Sequence, residues 1–420
     1  MVIEIYFYMA CAFGFLLAWG IGANDVANAM GTSVGSGTLK LRQALFIAII
    51  FECLGALLAG GEVTQTLRKG LIDTEGLWNN PSAYINGMSA ALLASAVWLM
   101  VASYFGWPVS TTHTIVGAIV GFGWIIAGPE HLAWEQIGTI ALSWVCSPLL
   151  GGVIAYGLFW SIHQFILDTP QPFIRARRLI PVYIFFMAAI LIGTVALSGL
   201  AHIGITLSNL ENAQVILGGA SVATLIGIIW LRTIHFDPNL DMHFHFTNVE
   251  RLFGILMIFT ACSMAFAHGS NDVANAIGPL AGIVDALGHK HFAASKVLTV
   301  PLWITLLGCT GLILGLLTFG HKVMATIGTG ITELTPSRGF AATLACAITV
   351  VLASGTGLPI STTHTLVGAI LGIGLARGIG ALDLRLVNKI FLSWIITLPI
   401  GAGLCIGFYA ILSTLVPTIL

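Results

Sequence analysis

The sequence predicts an all-α polytopic membrane protein, with about 10–12 membrane segments at the usual ~20 residues each, arranged as two homologous halves. Three observations predict it. Of the 420 residues 57% are hydrophobic and only 8% are charged, against about 25% charged in a soluble domain. Such a chain cannot cover its surface for water. Apolar runs such as 43–61 and 297–319 approach bilayer length, and they are continuous, not alternating, which excludes a β-barrel. Finally, three short motifs recur in the same order.

Apolar segments fall near 3–21, 43–61, 83–105, 114–127, 137–161, 180–200, 213–231, 251–268, 297–319, 339–356, 364–376 and 388–416. The start, Met1-Val2-Ile3-Glu4, lacks a basic stretch and a cleavage site, so it reads as a retained first span and not as a signal peptide. Net charge is −1, which gives no footprint for nucleic acid. The seven cysteines stand singly, without C-x-x-C spacing, and read as small buried hydrophobes.

The repeat organises everything else. Gly22-Ala23-Asn24-Asp25-Val26-Ala27-Asn28 returns as Gly269-Ser270-Asn271-Asp272-Val273-Ala274-Asn275. Pro108-Val109-Ser110-Thr111-Thr112-His113 returns as Pro359-Ile360-Ser361-Thr362-Thr363-His364, and Leu142-Ser143-Trp144 as Leu392-Ser393-Trp394. The expected units are 1–165 and 251–420 as repeats, with 166–250 connecting them. Residues 128–136 hold no Lys or Arg, whereas the corresponding loop carries Arg377, Arg385 and Lys389. By the positive-inside rule those loops face opposite sides, which favours inverted repeats.

Each motif carries a chemistry. Asp25 and Asn28 stand at i and i+3, on one helical face, as do Asp272 and Asn275. Carboxylate and carboxamide oxygens are hard ligands for a small cation, and carboxylates within a membrane segment are functional by default. A helix cap is the bland alternative, but it does not explain the duplication. Pro108 and Pro359, each followed by a hydroxyl run, mark a break and then a helix N-terminus. Unpaired N–H groups and the positive dipole end suit an anion there. The segments that follow are shorter than a span and read as re-entrant.

None of the 16 Lys and Arg residues falls within these motifs. A multiply charged oxyanion such as a phosphate would bring one to two negative charges near neutral pH, and two half-helix ends supply at most about one positive charge. The remainder must enter with the substrate as Na⁺ or H⁺.

At these residues the chain resembles the inorganic phosphate transporter family, along its whole length. The resemblance implies inverted repeats, a core of broken helices and re-entrant hairpins, and alternating access. It implies a phosphate site drawn from Ser110, Thr111, Thr112, Ser361, Thr362, Thr363, Asn28 and Asn275. The cation site would be drawn from Asn24, Asp25, Asn271, Asp272 and Glu52, with Asp25 and Asp272 as Na⁺ ligands if sodium is the coupling ion. Glu52 matches a glutamate that the animal members need, while two further glutamates of theirs fall on Met88 and Thr343. The long central hydrophilic loop of the animal members is lacking, so the chain looks bacterial and is expected in the inner (plasma) membrane.

The partners expected are therefore inorganic phosphate, Na⁺ or H⁺ and the lipid bilayer, with no cofactor and no enzymatic activity; a homo-oligomer is left open. Sulfate is the alternative substrate. It only accepts hydrogen bonds, whereas hydrogen phosphate also donates to a carboxylate. His113 and His364 either relay protons or support their hairpins. His235, Asp237, Asp241, His243 and His245 form a metal-like cluster in a non-repeated connector, and a solvated loop is the simpler reading.

Overall fold

The computed structural model describes residues 2–72, 81–199, 205, 207–237, 246–288, 300–320, 334–378 and 384–416. Among them, helices of the first half are α1 (Val2–Asn24), α2 (Val26–Gly35), α3 (Leu41–Ala59), α4 (Gly61–Lys69), α5 (Pro81–Phe105), α6 (Thr111–Ile126) and α7 (Trp134–Ile162). Two helices, α8 (Pro172–Thr194) and α9 (Asn209–Thr233), follow. The second half holds α10 (Thr247–Asp272), α11 (Ala274–Gly288), α12 (Leu302–Thr318), α13 (Pro336–Gly355), α14 (Thr362–Arg377) and α15 (Leu384–Leu415). Nine helical stretches among the described residues are long and apolar enough to span, and α6 and α12 are shorter apolar helices.

The halves pack reciprocally. Helix α1 lies against α5 and α12, and its counterpart α10 lies against α13 and α3. In the same way α6 packs on α15 while α14 packs on α7. Close backbone crossings fix the register. A Cβ on Gly22 would overlap the Leu312 carbonyl oxygen, just as one on Gly269 would overlap that of Glu52. Gly55 faces Phe266, as Gly315 faces Trp19. Glu52 is thus the equivalent of Leu312. These crossings have backbone oxygen, not a flexible side chain, in the way. We expect Gly315→Ala and Gly55→Ala each to abolish accumulation of folded protein, read as loss of a monodisperse peak in detergent.

The hairpins follow from local chemistry. Gly106 and Gly357 take positive φ (68° and 74°), a conformation that glycine adopts without strain, and so turn the chain after α5 and α13. Ser110 and Ser361, in extended conformation, then cap α6 and α14 by accepting from His113 N and His364 N, both at 3.2 Å. Sixteen residues make α6 about 24 Å long, less than the ~30 Å hydrocarbon core. Six of the nine described span-length stretches precede α10, α5 among them, so the halves would be inverted if α5 returns with α6 to its own side.

Composition alone missed three helices. Hydropathy did not mark α2, α4 or α11, because Asn, Gly and charged residues dilute their apolar content. The helix breaks are also slighter than expected. Only Asp25 and Val273 interrupt the runs 2–35 and 247–288, and Asp25 N still donates to Ile21 O at 2.7 Å. All seven cysteines are free thiols. Of the metal-like cluster, His235 Nδ1 faces Thr233 O at 3.1 Å and Asp237 N donates to Asn248 Oδ1 at 2.9 Å. Asp241, His243 and His245 lie outside the described residues.

Candidate functional site

The two hairpin turns meet inside the protein, at the interruptions of the long helices. Thr112 Oγ donates to Ile360 O at 3.0 Å, and Thr363 Oγ donates to Val109 O at 3.2 Å. Each turn therefore spends a threonine hydroxyl on the carbonyl of the other. The N-termini of α6 and α14 point at this junction, and their dipoles favour negative charge there.

Around the junction the duplicated polar residues interlock. Thr111 Oγ donates to Asp25 Oδ2, and Thr362 Oγ donates to Asp272 Oδ2 at 2.6 Å. Asn28 Nδ2 reaches across the repeats to Thr362 Oγ (3.1 Å) and Thr363 Oγ (2.8 Å). Asn275 Nδ2 reaches Thr112 Oγ at 3.3 Å. Both Asp25 and Asp272 are buried, as are the four threonines. Their oxygens consequently see protein and each other, not bulk water.

Asn24 and Asn271 belong to the scaffold of the turns. Asn24 Nδ2 donates to Trp107 O at 3.0 Å, and its Oδ1 accepts from Val109 N at 3.4 Å. Asn271, with its amide turned so that donors meet acceptors, donates to Ile360 O (2.9 Å) and Asp272 Oδ1 (3.1 Å). Ser110 and Ser361 likewise commit their oxygens to capping, although each hydroxyl proton remains available.

His268 was missed by the sequence reading, and it lies at the centre. Its Nε2 is 2.9 Å from Asp272 Oδ2 and its Nδ1 is 3.2 Å from Glu52 Oε1, with both side chains fully withdrawn from solvent. Ligand atoms of Asp25, His268 and Asp272 all lie within 4.8 Å of one another. The distances are those of ion pairs, yet neither ring nitrogen nor either Glu52 oxygen has a hydrogen bond of good geometry. Charge, more than directional bonding, gathers this group. A signal existed: aligning the repeats sets His268 opposite Ile21, and an ionisable residue in a membrane helix is a site candidate.

The remaining candidates pack around the hairpins or in the core. The His113 ring lies on Trp144 (centroids 4.0 Å apart) and the His364 ring stacks on Trp394 (3.6 Å), while the two imidazoles meet edge to face at 4.2 Å. Trp144 Nε1 donates to Pro359 O at 3.2 Å. The third repeated motif thus supplies the tryptophans that wedge the hairpins together. Thr343 shares a hydrogen bond of 2.6 Å with Thr32, between α13 and α2, and Met88 is buried in the core.

Fixed cations are scarce here. Among the described residues Arg68 is the buried arginine, and it pairs with Asp285, about 20 Å along the helix from Asp272 at 1.5 Å per residue. Three carboxylates (Asp25, Asp272, Glu52) therefore face one imidazole.

Comparison with known proteins agrees with this architecture. The profile of the phosphate transporter family matches residues 21–405. A candidate phosphate permease of Haemophilus influenzae is 49% identical over 408 residues, 97% of each chain. The chloroplastic inorganic phosphate transporter 2-1 of Arabidopsis thaliana is 40% identical, over 95% of this chain and 71% of that one. A solved structure described as the sodium-dependent phosphate transporter superposes with a TM-score of 0.90 at 36% identity, covering 98% of this chain and 100% of the other. These relatives are transporters and permeases, not enzymes. The chain is an integral membrane protein that belongs to the phosphate transporter family.

Proposed function

We propose that the protein carries inorganic phosphate across the membrane in symport with cations, by alternating access. The observation that carries this reading is the charge count at the hairpin junction: three buried carboxylates against one imidazole, before any phosphate arrives. A phosphate dianion added to that arrangement without companions would cost many kcal/mol in a low dielectric. Cations that enter with it remove the cost, and the membrane potential adds about 2.3 kcal/mol per net charge per 100 mV.

In this reading Asp25 and Asp272 ligate the cations, while Asn24 and Asn271 hold the turns beside them and Glu52 acts through His268. Thr111, Thr112, Thr362, Thr363, Asn28 and Asn275 hold the phosphate, with Ser110 and Ser361 ordering the N–H groups of the two helix ends. Thr112 and Thr363 exchange their bonds to the opposite turn for bonds to phosphate. Parting one hairpin at a time then opens the site to one side and afterwards to the other. Sodium is favoured as the coupling ion, because the superposed relative is described as sodium-dependent. Phosphate is preferred over sulfate because hydrogen phosphate can donate to Asp25 or Asp272.

Uptake of radiolabelled phosphate into proteoliposomes, with sodium and proton gradients imposed separately, tests this. We expect uptake to accelerate at least tenfold under an inward sodium gradient and to persist in a tenfold excess of sulfate. Indifference to both gradients would reject symport.

A further inference from the structure

The twofold repeat fails at one place in the site. Asp25 accepts from Thr111 as Asp272 accepts from Thr362. Beyond that shared bond the surroundings differ. Asp272 has the His268 imidazole 2.9 Å away, and Glu52 stands behind the ring at 3.2 Å. The residues equivalent by repeat alignment and by the helix crossings are Ile21 and Leu312. Both are apolar, buried and without ligand atoms. His268 thus contacts Asp272 at 2.9 Å, whereas Asp25 shares the same imidazole only at longer range, within 4.8 Å.

We infer that His268, braced by Glu52, is a positioning residue that makes the two duplicated cation sites unequal, with Asp25 as the tighter site and Asp272 as the weaker. This deepens the symport reading and rests on it. The physical ground is competition. A cation at Asp272 must displace or share an oxygen already facing an imidazole nitrogen, and it meets that nitrogen's donor character as it arrives. A cation at Asp25 meets a carboxylate hydrogen-bonded by the Thr111 hydroxyl and by the Asn28 amide at 3.4 Å, both neutral, with the imidazole farther off than from Asp272. Unequal sites fill in order, and ordered filling lets one cation prepare the pocket before phosphate and the second cation close it.

The test copies the first half into the second. The double variant His268→Ile with Glu52→Leu is reconstituted beside wild type, and phosphate uptake is measured against the concentration of the driving cation. We expect the half-maximal cation concentration to fall about tenfold, equal to about 1.4 kcal/mol, and the curve to steepen as the sites become alike. The KM for phosphate should move less than threefold. His268→Gln, which keeps an N–H donor but removes the charge that gathers the group, should shift the curve in the same direction. Should the double variant fail to insert, Glu52→Gln alone should shift the curve in the same direction by about threefold, as expected for a weakened brace. An unchanged cation curve, or an equal shift in both parameters, would overturn the inference while wild-type coupling stands. Wild-type uptake that ignores both gradients would instead remove the symport reading beneath it.

Discussion

Asp25→Asn and Asp272→Asn each reduce cation-coupled phosphate uptake by at least about a hundredfold while leaving the protein inserted. The substitution is isosteric, so packing is retained and only the charge is lost. Removing one member of a buried charged group costs about 3–5 kcal/mol, and each 1.4 kcal/mol is about tenfold. The effects should differ in kind. Asp25→Asn removes the carboxylate that lies farther from the imidazole, whereas Asp272→Asn removes the one 2.9 Å from His268 and leaves that ring facing Glu52. The second variant should therefore retain more of its cation dependence. Initial uptake rates in proteoliposomes, normalised to inserted protein, read both effects, and wild-type rates in either variant would contradict the assigned role.

Thr362→Val gives the second large effect. The hydroxyl of Thr362 donates to Asp272 Oδ2 and accepts from Asn28 Nδ2, so its removal disturbs groups from both halves together. Leaving a buried donor or acceptor unpaired costs about 1–3 kcal/mol each, about 2–6 kcal/mol for the two, hence a fall in phosphate kcat/KM of at least about thirtyfold. Thr111→Val is the control within the molecule. Thr111 bonds Asp25 but has no recorded bond to the opposite asparagine, so a smaller loss is expected there. Equal losses in the two would mean that the bond between the halves contributes little.

Much of this architecture could be read from the residues. The repeated Ser-Thr-Thr-His motifs located both hairpins, because turning the chain inside a membrane requires Pro, Gly and hydroxyl residues at fixed places. Hydropathy failed where polar residues dilute the apolar content, in α2 and α11 beside the site and in the charged α4, and so these three were not marked. His268 was overlooked because it stands just before the repeated segment, at a position where the other copy holds isoleucine. Comparing copies for likeness conceals the places where they differ. The glycine crossings carry no chemical signature, since only the folded arrangement reveals which backbone each glycine admits.

The central claim is that negative charge crowds a site with a single imidazole to offset it, so phosphate cannot move alone. The most direct measurement is the number of cations moved per phosphate, obtained from the membrane potential that just halts net uptake against a known phosphate gradient in proteoliposomes. The account predicts at least one coupled cation per phosphate, and two or more when the dianion is the species carried. A ratio of zero, with phosphate flux set by its own gradient and charge alone, would contradict it.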